Sequence, residues 1–275
     1  MGVIRGALPA APIAVYPYFD KVQFWLKSPA DRTTVARLRR HCGHLHPDDR
    51  PARFGQGYRQ RLEFKQPDED ALRWIAGQSD VLINRLEVTL DMIYPDQRAL
   101  EDAGEFLERH LVRRWHGRTQ KIKVVGKTRY DAPRGAPNGM VMYPESYSRQ
   151  TGELFCLHLE WRINNARAAR GAGIRAGTDL LRFDHRRFWR ERMLLVEIDA
   201  ERLGRLMRNR RNGTRSRTPD VGRFSGIVTN LDRRRGGVVL KAFGTLQEVI
   251  DAFGSSLRLE RAVKRIATAS FLPDA

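Results

Sequence analysis

The sequence predicts an α+β protein built on an antiparallel sheet with helices packed on one face, plus a C-terminal helical segment. Several short segments alternate strictly between apolar and polar residues, as half-buried strands do. Helical patterns fall between them at irregular intervals, which favours an antiparallel sheet over a doubly wound parallel one. A hydrophobic content of 41% over 275 residues is enough for a core of this kind.

The alternating segments define the order of the strands. Strands are predicted at FDKVQFWLK, YRQRLEFKQ, INRLEVTLDMIY, KIKVV, around Tyr130, GMVMY, FCLHLEWRI and MLLVEID. Helices are predicted from Ser28 to about Cys42, at DEDALRWIAG, at DQRALEDAGEFLERHLVRRW, and near 178–193, 200–209, 245–253 and 255–268. Residues 43–57 carry three glycines and two prolines, which predicts a loop.

Composition divides the chain into four parts. The predicted parts are a flexible lead-in over 1–17, an α+β domain over 18–200, an Arg-rich segment over 201–240 and C-terminal helices over 241–275. The Arg-rich segment contains eleven arginines and no lysine. Because its centre lacks any periodicity, we expect a loop that binds phosphate groups, with a solubilising insert as the alternative.

Charge and cysteine content narrow the classes of function. The formal net charge is +18, which draws a protein to polyanions and is typical of nucleic-acid binding. Two cysteines and no CxxC pair argue against a disulfide scaffold and a zinc ribbon. No apolar run reaches membrane-spanning length, and no signal or lipidation pattern is present, so we expect a cytoplasmic protein without a membrane partner.

Acidic side chains share the polar faces of two predicted strands. Glu87 and Asp91 lie on one, and His158 and Glu160 on the other. If the strands are neighbours, these groups converge and suit Mg²⁺ or Mn²⁺, which prefer oxygen ligands. The alternative is a solvated sheet face on which the acids pair with arginines such as Arg162.

Three tyrosines are candidate nucleophiles. Tyr130 lies beside Lys127 and Arg129, whose charges would favour an ionised phenol, whereas Tyr143 and Tyr147 lie in the segment VMYPESYSR. A tyrosine that attacks a DNA phosphate leaves a covalent phosphotyrosyl intermediate. A strand tyrosine that only packs and hydrogen-bonds is the ordinary alternative.

His44-Leu45-His46 is a His-hydrophobic-His triplet, and His41 and Cys42 precede it. The triplet follows a predicted helix end and precedes Pro47, whereas the metal-binding motif of DNA-nicking enzymes lies within a strand. We therefore expect loop histidines with no metal role.

The order of these motifs resembles the Rep_trans type of plasmid and phage replication initiators. The resemblance rests on FDKVQFWL, INRLEVTLD, TRY, MVMY and HLEWRI, and it covers about residues 18–200. It implies an RRM-like or degenerate HUH-like sheet, Tyr130 as nucleophile, and Glu87, Asp91 and Glu160 in a metal site. Asp131-Ala132 and Pro144-Glu145 depart from the family pattern, which leaves a relative that only binds DNA as an alternative.

The leading hypothesis is a rolling-circle replication initiator that nicks single-stranded or cruciform origin DNA with a tyrosine and a divalent metal. Residues predicted to contact DNA are Lys127, Arg129, Arg162, Arg208, Arg210, Arg211, Arg215 and Arg217. The runner-up is a non-catalytic nucleic-acid-binding protein that uses Trp25 and Trp161 for stacking. A nuclease without a covalent intermediate is a third possibility, and the oligomeric state, monomer or homodimer, is left open.

Overall fold

The computed structural model describes residues 11–49, 57–113, 123–125, 127–132, 135–198 and 263–266. The strands are β1 (Ala14–Leu26), β2 (His44–Asp48), β3 (Gln60–Lys65), β4 (Val81–Ile93), β5 (Leu111–Arg113), β6 (Lys123–Val125), β7 (Thr128–Tyr130), β8 (Asn138–Tyr147), β9 (Leu154–Ile163), β10 (Met193–Ile198) and β11 (Val263–Ile266). The helices are α1 (Arg32–Leu38), α2 (Glu69–Ala76), α3 (Gln97–His110), α4 (Ala166–Gly171), α5 (Gly177–Leu181) and α6 (His185–Arg192), with a 3₁₀ turn at Arg39–His41.

The predicted α+β class is confirmed. Eight strands form one sheet in the order β2-β3-β1-β4-β9-β8-β7-β6, and every pair is antiparallel. The chain divides into two compact units, and this sheet lies in the unit formed by residues 12–100 and 123–188. The other unit contains a three-stranded sheet in the order β11-β10-β5.

Helices cover the apolar face of the large sheet. Val22, Leu86 and Ile163 are paired across β1, β4 and β9, and all three are fully buried. The Trp74 ring of α2 packs near the rings of β1 and β3, and Phe188 of α6 meets the edge of Trp161 at 6.0 Å between ring centroids. Burial of this apolar surface is the main stabilising contribution to the sheet.

Side-chain capping fixes where several helices begin. Asp31 accepts a hydrogen bond from the Thr34 amide at the start of α1, and Asp68 accepts one from the Ala71 amide at the start of α2. Each cap satisfies an amide that has no partner within the helix.

A β-bulge in β1 shifts its register against β4. Phe19 pairs with Val88 and Lys21 pairs with Glu87, so Asp20 is the extra residue between two paired positions. A bulge of this kind turns a side chain that strict alternation would place on the opposite face.

Four predicted boundaries differ from the structure, one of them at Leu111–Arg113, which was predicted within a helix but forms strand β5 because it pairs with β10. Residues 14–17, expected in the flexible lead-in, belong to β1 because β4 pairs with them as far as Ala14. The expected loop over 43–57 contains β2, whose backbone pairs with β3. Val263–Ile266, expected within a helix, is a strand because it pairs with β10. The remaining predicted C-terminal helix residues and the Arg-rich segment lie outside the described residues.

Within the described part of the chain, no helix is both long enough and apolar enough to cross a membrane.

Candidate functional site

Three carboxylates converge on the polar face of the large sheet, and we call them the carboxylate cluster. They come from Asp20 in the β1 bulge, Glu87 in β4 and Glu160 in β9, and one oxygen of each lies within 4.8 Å of the other two. All three side chains are buried. A buried group of like charges is costly unless cations or protons neutralise it.

Basic side chains from the same sheet surround the cluster. Lys21 Nζ lies 2.9 Å from Glu87 Oε2, and an Arg85 guanidinium nitrogen lies 2.8 Å from Glu87 Oε1. Arg162 donates a hydrogen bond through Nε to Glu160. In addition, the Gln66 amide donates to Asp20.

The two glutamates respond in opposite directions to this environment. Burial and the nearby charge of Glu160 raise the pKa of Glu87 above its ordinary value. Burial acts in the same direction on Glu160, but His158 and Arg162 outweigh it and lower the pKa of Glu160 to about 2. Glu160 is therefore the firmly ionised member of the pair.

His158 lies next to the carboxylate cluster on β9. Its Nε2 is 3.8 Å from Glu160 Oε2 and has no hydrogen-bond partner among the described residues, although the side chain is fully buried. Its Nδ1 is 2.7 Å from Asp91 Oδ1. Burial opposes protonation and is the largest single effect, but the interactions with Asp91 and Glu160 together outweigh it and raise the pKa of His158 to about 9.

Asp91 lies behind His158 and is not part of the carboxylate cluster. Its Oδ2 accepts hydrogen bonds from Ser148 Oγ at 2.5 Å and from the Tyr18 hydroxyl at 3.2 Å. Because Oδ1 faces His158, both oxygens are already engaged by neighbours. Asp91 was predicted as a metal ligand. In the structure it instead lies where it orients the His158 imidazole.

Asp20 was missed by the reading of strand patterns. Strict alternation from Val22 and Phe24 places residue 20 on the apolar face. The sequence does contain a signal, because the apolar positions of β1 change from odd (Val15, Phe19) to even (Val22, Phe24) at this residue. A change of parity within one strand indicates a bulge.

The metal-ligand chemistry of the site fits a hard divalent cation. Three carboxylates supply oxygen donors, and the buried His158 Nε2, without a hydrogen-bond partner in the described part of the chain, lies beside them. These are the donor types that Mg²⁺ and Mn²⁺ accept. A second acidic group, His41 with Asp68 and Asp70, is partly or largely exposed.

Strand register sorts the three tyrosines. Tyr130 pairs with Val141, which pairs with Glu160, so these three residues share one row on the polar face. Tyr143 is in the next row, with its ring centroid 4.7 Å from that of His158. Tyr147 is exposed and lies six residues along β8 from the row of Glu160, about 20 Å away.

Electrostatics separate Tyr143 from Tyr130. Burial, together with Glu160, raises the pKa of Tyr143 above its ordinary value. Tyr130 lies close enough to Arg162 to affect it, since burial would lower the pKa of that guanidinium but Glu160 and, more weakly, Tyr130 raise it.

The predicted DNA contacts fall into different environments. Arg162 borders the carboxylate cluster, and Lys127 is exposed next to β7. Arg129 was predicted to contact DNA, but it is 2% exposed and its guanidinium lies 2.7 Å from Asp131. Its side chain is therefore not accessible to a DNA phosphate. It pairs in register with Met142, on the opposite face from Tyr130. The five arginines of the predicted loop, Arg208 to Arg217, lie outside the described residues.

The structure also differs from two further predictions, that two tryptophans stack on bases and that the histidine triplet lies in a loop. Trp25 and Trp161 are 5% and 3% exposed, so neither presents a ring for base stacking. His44 and His46 lie in strand β2 at the edge of the sheet, and both are exposed.

No family model and no curated protein matches the chain. Among solved structures, the chain is similar to the rolling circle replication initiator protein from Geobacillus stearothermophilus, with 13% sequence identity and a TM-score of 0.38. The match covers 67% of this chain and 88% of that chain. We therefore base the function on the residues of this chain alone.

Proposed function

We propose that this protein nicks DNA to initiate replication, using Tyr130 as the nucleophile and a divalent cation, Mg²⁺ or Mn²⁺, in the carboxylate cluster. The observation that carries this proposal is the convergence of Asp20, Glu87 and Glu160 beside the buried His158 Nε2, which has no hydrogen-bond partner among the described residues. A tyrosine on a neighbouring part of the same sheet face and a net charge of +18 complete the requirements for attack on a polyanion.

The cluster residues would hold the cation, with Asp20, Glu87 and Glu160 as oxygen ligands and His158 Nε2 as a nitrogen ligand. When bound, such a cation polarises a phosphodiester oxygen and stabilises the charge that develops during transfer. Lys21 and Arg85 partly neutralise Glu87 before a cation arrives. These basic groups also give the site a positive rim that favours a phosphate.

Tyr130 is the best placed of the three tyrosines. It shares a row with Glu160 and lies two strands from it, about 10 Å between backbones, a distance that a tyrosine side chain and a bound phosphate together can span. Tyr143 is held against His158 by burial, and Tyr147 is several rows away.

The reaction is a transesterification that exchanges one phosphate ester bond for another. The Tyr130 phenol releases its proton to water, its oxygen bonds to the scissile phosphorus, and the bond between phosphorus and the 3′ oxygen breaks. The 3′ oxygen takes up a proton and becomes a 3′-hydroxyl that a polymerase can extend. The phosphotyrosyl bond on the 5′ side keeps the energy needed for later rejoining.

Asp91 acts in this proposal as a positioning residue. Its hydrogen bond to His158 Nδ1 keeps a proton on that nitrogen and turns Nε2 towards the cluster. Because the pKa of His158 is raised to about 9, Nε2 is also protonated at neutral pH and would have to lose that proton to act as a ligand. Ser148 and Tyr18 in turn hold the Asp91 carboxylate.

A covalent-capture assay tests the proposal. The full chain is incubated with Mn²⁺ and a randomised pool of single-stranded oligonucleotides that carry a fluorophore at the 3′ end. A labelled band at the mass of the protein plus DNA is expected on a denaturing gel. Tyr130→Phe should abolish the band, whereas Tyr143→Phe and Tyr147→Phe should retain it.

Two results would overturn the proposal. The first is the absence of any adduct with folded protein that still binds the pool. The second is an adduct that survives Tyr130→Phe. If no adduct forms and the Tyr130→Phe variant still cleaves DNA, the protein would instead be a nuclease that uses water as the nucleophile.

One observation favours a second candidate, a DNA-binding protein without catalysis. Each carboxylate of the cluster already has a cation or an amide as partner, so the cluster can serve as a buried ionic network that stabilises the sheet face. In that case Mn²⁺ should not bind, and Glu160→Gln should leave DNA affinity unchanged. Titration of Mn²⁺ followed by electron paramagnetic resonance separates the two candidates.

A further inference from the structure

A set of exposed basic side chains, outside the site described above, comes from the end of α1, the 3₁₀ turn that leads into β2, the start of β2 and the end of β3, which pairs with β2. We call it the basic edge and define it by Arg37, Arg39, Arg40, His44 and Lys65. All five side chains are exposed. Within the described part of the chain, none of them forms an ion pair. Unneutralised arginines and lysines that lie close together form an electrostatic footprint for a polyanion.

The register of the sheet connects the basic edge to the carboxylate cluster. His44 pairs with Lys65, Lys65 with Lys21, and Lys21 with Glu87. These four residues therefore form one row on the polar face, from the edge strand β2 to the cluster. Strands lie about 4.8 Å apart, so the row from His44 to Glu87 is about 14 Å long.

This row contains a local electrostatic cost. Lys65 and Lys21 are directly opposite each other on neighbouring strands, and like charges in such a pair are destabilising. Lys21 is neutralised by Glu87 at 2.9 Å, whereas Lys65 is not neutralised by any described acid. Lys65 is thus the cation of this row that has no acidic partner among the described residues, and an anion bound beside it would neutralise its charge.

A recess in the basic edge provides a place for an anion. Arg39, Gly43, His44 and Leu45 line a space of about 240 Å³. Gly43 lies so close to Gln66 that an added Cβ would overlap the Gln66 amide oxygen. The same Gln66 amide donates through its nitrogen to Asp20 of the carboxylate cluster. The recess and the cluster are thus joined through one side chain.

The backbone of Gln66 supports this connection. Its φ of +43° is in the left-handed region, which a residue with a side chain adopts only at a cost. The conformation ends β3 and brings the side chain between Gly43 and Asp20. Strain of this kind persists where the surrounding structure requires it.

We infer that the basic edge binds the phosphodiester backbone of DNA next to the segment that enters the carboxylate cluster. The partner, DNA, comes from the proposed function, but the inference does not depend on tyrosine chemistry. Arginine and lysine contacts to phosphate are independent of sequence, so this surface supplies affinity and direction rather than recognition of bases.

The first test removes charge from the edge. Arg37, Arg39 and Arg40 are replaced together by Ser, and the matched control replaces Arg167, Arg170 and Arg175, which are exposed around α4. Binding of a fluorescent single-stranded oligonucleotide, and of the same sequence as a duplex, is measured at several salt concentrations. The edge variant should lower the magnitude of the log–log salt slope by about 2 on the single strand and about 3 on the duplex, since each of three lost phosphate contacts contributes about 0.7 and 0.9 respectively. The control should leave the slope unchanged.

The second test uses opposite effects on stability and on binding. Lys65→Glu replaces a like-charge pair with an attractive one opposite Lys21, so the melting temperature should rise by about 1–3 °C. The same change should weaken DNA binding by about threefold to tenfold. Arg170→Glu, with an identical change of charge on an exposed helix position, should have neither effect.

The outcomes separate this inference from the proposed function. Equal losses of affinity in edge and control variants would mean that net charge alone matters, and the inference would be wrong. Unchanged affinity in the edge variants would also overturn it. When each slope change is divided by its value per contact, a larger number of lost contacts on the duplex assigns the edge to flanking duplex DNA, and a larger number on the single strand assigns it to the cleaved strand. If the unmodified chain forms no covalent adduct but its DNA binding still depends on the basic edge, the proposed function would be wrong and this inference would stand.

Discussion

His158 and Asp91 are directly opposite each other on β9 and β4, and Nδ1 of the imidazole lies 2.7 Å from Oδ1 of the carboxylate. Both side chains are completely buried. The pair turns Nε2 of His158 towards Glu160, at 3.8 Å. Both oxygens of the buried Asp91 carboxylate have hydrogen-bond partners. His158 thus connects this carboxylate to the cluster that we propose as a metal site.

Asp91→Asn should weaken Mn²⁺ binding by about 10- to 100-fold, because an amide no longer fixes the tautomer and orientation of His158. Affinity is measured by electron paramagnetic resonance of free Mn²⁺. The nitrogen-15 spectrum of the imidazole should show the change of tautomer directly. The control is Asp80→Asn, which removes an exposed carboxylate at the start of β4. Unchanged affinity together with an unchanged tautomer would show that Asp91 has only a structural role.

Removal of one partner of the Arg129–Asp131 pair should destabilise the fold. Both side chains are 2% exposed, so Asp131→Ala leaves a buried guanidinium without its carboxylate at a cost of about 3–5 kcal/mol. Denaturant unfolding measures this loss.

The DNA salt slope of an Arg129→Met variant should match that of the unmodified chain, because Arg129 faces away from Tyr130. A smaller slope would restore Arg129 as a phosphate contact.

The stability of the fold should decrease in mild acid through His185. Its ring lies against Phe19 and Phe183, and its Nδ1 has no hydrogen-bond partner among the described residues. Burial lowers the pKa of His185 to about 4, although Asp184 beside it acts in the opposite direction. The folded state therefore favours the neutral ring.

The sign of the pH effect follows from these pKa values. Stability from His185 is fully present above the unfolded value of about 6.5 and is lost as the pH falls towards 4. The free energy of unfolding should thus decrease by on the order of 2 kcal/mol more than that of His185→Phe between pH 7 and pH 4. Parallel curves for the two proteins would contradict the prediction. The His158–Asp91 pair cannot mimic it, since a raised pKa gives a loss of stability at high pH.

Gly177→Ala should destabilise the contact between α5 and α2. A Cβ at this position would overlap the backbone carbonyl of Ile75, which cannot move without disturbing the end of α2. We expect a cost of about 1–3 kcal/mol in thermal or denaturant unfolding. Gly171→Ala is the matched control, because no atom lies within 4 Å of its added Cβ. Equal stability of the two variants would show that α5 shifts freely.

The sequence by itself determined most of the sheet face that carries the site. Alternation in β4 and β9 placed Glu87 and Asp91 on one polar face and His158 and Glu160 on another, and the pairing of these strands brings the two sets together. Alternation has a period of two residues, so it assigns a residue to a face without any knowledge of the partner strand. The buried stripe of apolar residues on the opposite face was predictable for the same reason.

Only the tertiary structure decided how these groups divide their roles. The bulge in β1 depends on pairing with β4, and it alone brings Asp20 to the carboxylate cluster. Ser148, directly after β8, and Tyr18 of β1 form hydrogen bonds with Asp91, which separates it from Glu87 although both lie on one strand face. The edge strand β2 and the strand at Val263–Ile266 likewise exist because partner strands satisfy their backbones. Local patterns carry no information on such long-range pairing, since backbone hydrogen bonds between strands join residues that are distant in sequence.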